Sequence, residues 1–323
     1  MKNLLKLRVQ ALLLTALFLI GIAGMLSAQK IAIIDAGSSG SRLYVYDWDG
    51  ETLTSVYDDN GNAAPLHEVK NDATSVCTFL TTITSRYAPS DNSKIQLYVL
   101  ATAGMRGKNN DIYRTIQQVS RELTHYELKG AMTISGRYEG LYAWIAANYQ
   151  EGAIIINNSG NKLEFQSLQA STHGILEIGG ASMQIAYKAN GTGEDCIQRD
   201  GLGCIYSKSY LNYGINKIFE VFGHQRTYDF SSKLISLSPL SLSSQIKFWG
   251  LGKAVNAAVN HPKTWSEADD QYHSYMSTCY ITEVMKKLNL TGKLEFLSSP
   301  SSWTKGAALD ILLDNAPEIY NNN

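Results

Sequence analysis

The chain has 323 residues, 44% of them hydrophobic and 18% charged, which excludes a disordered polypeptide and predicts two domains rather than one. Lys and Arg number 28 against 29 Asp and Glu, a formal charge of -1. A balance so near neutral supplies no long-range field for gathering nucleic acid or an anionic membrane, so any anion must be gripped locally.

The N-terminus has the order of an export signal. Lys2, Lys6 and Arg8 lead into an apolar run from Val9 to Leu26, and Ser27-Ala28 close it before Gln29. Residues 1–28 are therefore expected to be removed, leaving a secreted or periplasmic protein. The alternative is an uncleaved anchor, because the run approaches spanning length. No second apolar stretch of that length follows, so no membrane partner is expected after removal.

Lys30 to Ile34 reads as a strand, Asp35-Ala-Gly-Ser-Ser-Gly-Ser-Arg42 as a tight polar loop, and Leu43 to Asp47 as the returning strand of a hairpin. Helices are predicted over Thr74–Tyr87, Asp111–Leu128 and Glu139–Tyr149. A strand over Ile95–Ala101 runs into Thr102-Ala-Gly-Met-Arg106. The opening figure then recurs: Gly174-Ile-Leu-Glu177-Ile-Gly-Gly-Ala-Ser182 precedes Met183 to Tyr187. In both copies an acid ends a strand, Gly stands two positions later, and small residues form the loop. A duplicated motif implies duplicated lobes.

Glycine at such turns lets backbone N–H groups approach phosphate oxygens closely. The acids leading the loops, Asp35 and Glu177, would repel phosphate unless a divalent cation, Mg²⁺ or Ca²⁺, lay between, held through water. Each loop read alone is an ordinary hairpin turn. Glu139 is the carboxylate suited to taking a proton from an attacking water, and Ser182 and Gln184 are placed to orient that water. Its plainer reading is a first-turn glutamate favoured by the helix dipole. There is no Walker-type loop, no Ser-His-Asp order and no zinc-ligand spacing.

Of the four cysteines, Cys196 and Cys204 flank the Asp200-Gly-Leu-Gly203 turn and are expected to pair; sequence leaves Cys77 and Cys279 undecided. Asn157, Asn190 and Asn289 begin Asn-x-Ser/Thr triplets that chance accounts for.

Five segments together carry a resemblance. Asp35–Arg42, Ala101–Arg106, Gly136–Tyr149, Glu177–Ile185 and Trp303–Ala307 resemble, in order, the five signature regions of the apyrases, the nucleoside triphosphate diphosphohydrolases. Tyr206–Gly214 is similar to a further segment of that family. The resemblance spans nearly the whole chain after residue 28. It implies an α/β protein of two RNase H-like (actin-like) lobes with the active site in the cleft between them. The lobes are expected at 29–128 and 129–300, with 301–323 returning to the first. It implies stepwise release of phosphate from nucleoside tri- and diphosphates by a monomer that needs Mg²⁺ or Ca²⁺. By position, Glu139 matches the catalytic base, and Ser182 and Gln184 match the groups holding the water. Ser38, Ser39, Gly40, Ser41, Arg42, Thr102, Ala103, Gly180 and Ala181 match phosphate-binding positions. Asp35 and Glu177 match the carboxylates around the hydrated metal.

Two positions depart from the family pattern. Glu177 stands where Asp is usual, and Met183 where a small hydroxyl residue is usual; strand alternation predicts that Met183 faces away from the water. For the base, Asn256 and Tyr280 are the positions that the resemblance suggests, although Trp249 and Tyr280 read equally well as core aromatics. The rival readings are an exopolyphosphatase or guanosine-pentaphosphate phosphatase, and a non-catalytic actin-like nucleotide-binding module.

Overall fold

The computed structural model describes residues 29–90, 93–108, 110–158, 162–168, 172–191, 193–222, 230, 234–240, 242, 246–251, 269–295, 297 and 302–315. The expected export signal and Asn256 lie outside them. Among the described residues no helix is long and apolar enough to cross a membrane.

Two sheets organise the chain. The first has the order β3-β2-β1-β4-β5, built from β1 (Gln29–Gly37), β2 (Gly40–Trp48), β3 (Leu53–Asp58), β4 (Ile95–Ala101) and β5 (Tyr126–Thr133). β1 pairs antiparallel with β2 and parallel with β4. The second has the order β10-β11-β9-β8-β12-β13, from β8 (Gly174–Ile178), β9 (Ser182–Lys188), β10 (Cys196–Arg199), β11 (Gly203–Leu211), β12 (Phe248–Leu251) and β13 (Leu294–Glu295). Here β8 pairs antiparallel with β9 and parallel with β12, so its surroundings repeat those of β1. A small ribbon, β6 (Ile154–Asn158) with β7 (Leu163–Ser167), stands apart from both sheets.

The repeat extends to register. Asp35 lies opposite Arg42 across the first hairpin, and Glu177 lies opposite Gln184 across the second. Both hairpins thus present an acid beside a hydrogen-bonding side chain at the same place.

Three apolar clusters follow from the two-residue period of the strands. Ala32, Ile34 and Ala36 of β1 face a cluster closed by α1 (Ala73–Thr84) and α2 (Ile112–Val119). Leu176, Ile178, Met183 and Ile185 face another, closed by α4 (Ile215–Phe222) and α5 (Asp269–Leu288). Met183 is fully buried there, on the opposite face from Gln184, as alternation predicts. The remaining faces of both sheets, through Ile31, Ile33, Ile175 and Ala186, share a central cluster with α3 (Gly136–Gln150) and α6 (Trp303–Leu312). Asp35 and Glu177 have the parity of these central-facing residues, so both acids emerge between the sheets.

Helix α3 explains itself chemically. Ser135 caps it by accepting from the Tyr138 N–H, and Leu141 to Asn148 are all buried, as befits a helix covered on every side. Helix α6 packs on α3 and touches β1 and β2, which brings Trp303–Leu312 against the first sheet. Two expectations are corrected. The helix predicted to reach Leu128 ends at Val119, because Tyr126–Thr133 pairs in parallel with β4 as the edge strand of the first sheet, and its few apolar residues do not distinguish helix from strand. That strand also carries the first sheet past residue 128, to Thr133.

Candidate active site

The two glycine loops face each other. A Cβ placed on Gly180 would stand 2.9 Å from the Ser38 hydroxyl and 3.0 Å from Asn216 Nδ2. The β1–β2 turn gets its shape from Gly40, at φ 145°, where a side chain would also collide with Asn62. Asn62 Nδ2 donates to the Ser39 carbonyl at 2.8 Å. The Thr102–Arg106 turn is pressed against the same loop: Thr102 N–H donates to Ala36 O at 3.3 Å, and a Cβ on Gly104 would lie 2.8 Å from Ser38 Cα. The carbonyls of Gly179, Gly180 and Ala181 are held by the backbone of Ile215, Asn216 and Asn212, each at 2.9 Å. A side chain on Gly214 would collide with the backbone of Gly180 and Ala181, which gives the Tyr206–Gly214 segment its physical reason.

Ser38, Ser39, Gly40, Arg42, Thr102, Ala103, Gly180 and Ala181 therefore lie on two apposed loops and the turn that buttresses them. Ser41 departs from the expectation. It is fully buried, its hydroxyl donates to Ala64 O at 2.9 Å, and its backbone is paired in both directions with Ala63. Ser41 is a structural residue of the hairpin.

Three carboxyls converge between the loops. Asp35 Oδ1 and Glu177 Oε2 are shielded from solvent and have no hydrogen-bond partner. Burial, reinforced by the charge of Glu139, pushes the Asp35 carboxyl up to about 7, against the opposing pull of Arg42 and a hydrogen bond with the Trp303 indole. Glu177 is held well above the usual carboxylate range by burial and then by the charges of Glu139 and Asp35, with Arg106 opposing. Among the described residues no group of three His, Cys, Asp or Glu is arranged to hold a metal directly.

Glu139 sits in the first turn of α3 with only 7% of its surface exposed. Its Oε2 takes an ion pair from Arg106 and a hydrogen bond from Gln184 Nε2 at 2.9 Å, so Oε1 is the oxygen left to face a water. Gln184 Nε2 also reaches Ser182 Oγ at 2.6 Å and Ser209 Oγ at 3.3 Å, while its buried Oε1 has no partner. Arg106 further contacts Ser182 Oγ at 3.4 Å and donates to Ile134 O at 3.3 Å. Glu139, Ser182 and Gln184, which the sequence singled out separately, thus form one bonded group.

The aromatic expectations fare differently. Tyr280 is fully buried, its ring 5.6 Å from that of Phe230 and its hydroxyl donating to Tyr213 O at 2.7 Å. This is the core position that the plainer reading described, with no ring face left for a base. Trp249 stacks on His173 at 4.2 Å and is 6% exposed.

Sequence reasoning left Arg106, Trp303 and Ser209 without roles. An arginine closing a buried loop needs an acid partner, and that signal was available for Arg106. Ser209 pairs in register with Gln184, and nothing local marks it. Cys196 and Cys204 are disulfide-bonded with their Cα atoms 5.5 Å apart; Cys77 and Cys279 are free thiols packed in different lobes.

Paired sheets with matching acid-led hairpins, closed by two helices between them, define an actin-like α/β protein of two lobes. A profile of the GDA1/CD39 (nucleoside phosphatase) family matches residues 27–236, and the chain belongs to that family. It is 30% identical over 205 residues to ectonucleoside triphosphate diphosphohydrolase 1 of Rattus norvegicus, covering 56% of this chain and 40% of that protein. It is 26% identical over 237 residues to nucleoside-diphosphatase mig-23 of Caenorhabditis elegans (59% and 41%) and 28% identical over 203 residues to probable apyrase 5 of Arabidopsis thaliana (56% and 39%). The chain spans less than half the length of these relatives. Among solved structures, the Aquifex aeolicus member of the Ppx/GppA family has a TM-score of 0.54 at 15% identity, covering 89% of this chain and 99% of that one. An exopolyphosphatase-like protein has a TM-score of 0.51 at 12% identity (88% and 98%). At that identity the likeness is one of fold.

Proposed function

We propose that this protein is an exported apyrase that hydrolyses the terminal phosphate of nucleoside tri- and diphosphates with a divalent cation. The observation that carries the reading is the bonded group Glu139–Gln184–Ser182 beside two orphaned carboxylate oxygens, with two glycine loops apposed at Ser38 and Gly180. Family membership and the named relatives support the substrate class.

The residues fit a hydrated Mg²⁺ or Ca²⁺. Asp35 Oδ1 and Glu177 Oε2 lack partners, and burial, then the charge of Glu139, raises both carboxyls, a condition that a cation between them would relieve. Such a cation would neutralise the charge of the phosphate chain and of the leaving group. The apposed loops would grip the phosphate oxygens through backbone N–H groups, with Arg42 and the Ser38 hydroxyl beside them. Ser182 Oγ and Gln184 Oε1 would fix a water in line with the terminal phosphorus. Glu139 Oε1 would take the water's proton as its oxygen bonds to phosphorus and the bridging P–O bond breaks, releasing inorganic phosphate and a nucleotide one phosphate shorter. Arg106 and Gln184, both on Oε2, would keep the other oxygen turned to the water. The buried Tyr280 argues against tight recognition of the base at that residue. The Cys196–Cys204 disulfide accords with an oxidising compartment, and so with export.

A second reading, removal of end phosphates from long polyphosphate, is favoured by the nearly full-length fold match to the Ppx/GppA member. One panel tests both: phosphate release from ATP, ADP, GTP, UDP, AMP and long-chain polyphosphate, with Mg²⁺, Ca²⁺ or chelator. Release from tri- and diphosphates but not AMP, lost on chelation, is expected. Activity surviving chelation overturns the cation's role, and preference for polyphosphate overturns the nucleotide reading.

A further inference from the structure

The residues just ahead of Glu139 are gripped from outside their helix by a single hairpin. Ser207 Oγ of β11 donates to Arg137 O at 2.6 Å, and the Arg137 guanidinium donates to Cys196 O of β10 at 3.3 Å. At the other end of β10, the Arg199 guanidinium stands 5.2 Å from the centre of the Tyr138 ring. Residues 137 and 138 are thus both tied to β10–β11, whose strands the disulfide joins.

Arg199 is itself fixed. Its Nε and one terminal nitrogen bond the two oxygens of Asp310 at 2.8 Å each, and the other terminal nitrogen donates to Gln198 O at 2.9 Å. The side chains of Arg199 and Asp310 are 8% and 0% exposed, and Asn315 Nδ2 adds a bond to Asp310 Oδ1 at 3.0 Å. A two-pronged pair of this kind sets direction as well as distance, and a lysine cannot reproduce it. Asp310 lies on α6, whose first residue, Trp303, stands close enough to Asp35 to oppose the upward push on its carboxyl. Between these ends the rings run in sequence: Tyr138 meets Tyr142 edge-on at 5.8 Å, and Tyr142 stacks on Trp303 at 6.4 Å. Arg199 therefore joins the turn that carries Glu139 to the helix that begins beside Asp35. Neither Arg199 nor Asp310 falls in the segments that resemble the family signatures.

We propose that Arg199, anchored by Asp310, is a positioning residue for Glu139: it fixes the first turn of α3 so that the carboxylate meets the attacking water. This rests on the general-base reading of Glu139. Losing the fork lets the turn shift by a fraction of an ångström to an ångström, which costs turnover rather than substrate binding.

The test measures kcat and KM for ATP, per folded molecule, in the wild type, R199K, D310N, E139Q and E139Q/R199K, with thermal midpoints alongside. R199K and D310N are expected to lower kcat roughly ten- to a hundredfold with KM within about twofold. In the E139Q background R199K is expected to change the residual rate no further, because its effect passes through the missing carboxylate. A residue that merely stabilises the fold would lower the midpoint, leave kcat per folded molecule intact and act equally in both backgrounds; that outcome overturns the proposal. E139Q with wild-type turnover overturns the general-base reading and this proposal with it, whereas a slow E139Q beside a fast R199K overturns this one alone. If R199K and D310N do not fold, Y138L, which removes the ring under the guanidinium, carries the test: a lowered kcat at constant KM supports positioning, and an unchanged kcat refutes it.

Discussion

Ser38 and Gly180, from different lobes, stand so near each other that a methyl group on the glycine would lie 2.9 Å from the serine hydroxyl. The gap between the loops is thus set by a missing side chain. Gly180→Ala should turn Ser38 Oγ out of its place and narrow the phosphate site. The expected result is a KM for nucleotide raised about tenfold, one charge-assisted hydrogen bond's worth, with the thermal midpoint nearly unchanged. A wild-type KM would mean that phosphate does not pass between these loops.

The pH dependence follows from Asp35. Its carboxyl is raised from 3.8 to about 7 by burial and then by the charge of Glu139, so the folded protein holds a proton that the unfolded chain has released. This contribution to stability is fully present below pH 3.8 and is lost as pH rises through about 7. Glu177, raised by the same causes, acts in the same direction. Chelated protein should therefore lose stability on going from acid to neutral pH, relative to a D35N variant that lacks the titration. Added Mg²⁺ or Ca²⁺ should stabilise most above pH 7, where both carboxyls bind as anions. Thermal unfolding across pH with and without the cation checks this, and a cation effect independent of pH refutes it.

Tyr280→Phe separates the core role from a base-binding one. The change removes the hydroxyl that satisfies the Tyr213 carbonyl, at a cost of about 1 kcal/mol and a few degrees of melting temperature. The ratios of kcat/KM among ATP, GTP and UTP should stay as they were. A changed ranking would return Tyr280 to the nucleotide.

Replacing both Cys196 and Cys204 by Ala frees a short hairpin loop and should cost roughly 2–3 kcal/mol in the chain-entropy view. Because this hairpin also grips Arg137 and Tyr138, turnover should fall alongside stability. Denaturant unfolding paired with kinetics well below the midpoint checks both, and intact turnover in the folded variant would show the hairpin's ties to α3 to be dispensable.

The acid-led hairpins were legible in the sequence because glycine, a strand-ending acid and two-residue alternation are local signals. They gave Asp35, Glu177, both loops and the turning of Met183 away from the cleft, into the core. Helix α3 was legible through its apolar spacing. What sequence did not disclose depends on approach in space. Arg106 finds Glu139 and Trp303 finds Asp35 only once the lobes close. Ser41, in the middle of a phosphate-like motif, spends its hydroxyl on Ala64. Tyr126 to Leu128 continued a plausible helical pattern, yet parallel pairing with β4 made them strand. Tyr280 had the residue type for stacking, and the core claimed it.

The packing of α6 on the first sheet has a bearing on how the protein folds. Tyr46 of β2 bonds Thr304 at 2.7 Å across 258 residues of sequence. The apolar face that β1 and β2 turn towards α6 therefore stays uncovered until that long loop has closed, and contacts so distant in sequence form slowly. Chaperones that shield such faces have their greatest leverage on the chain before this closure.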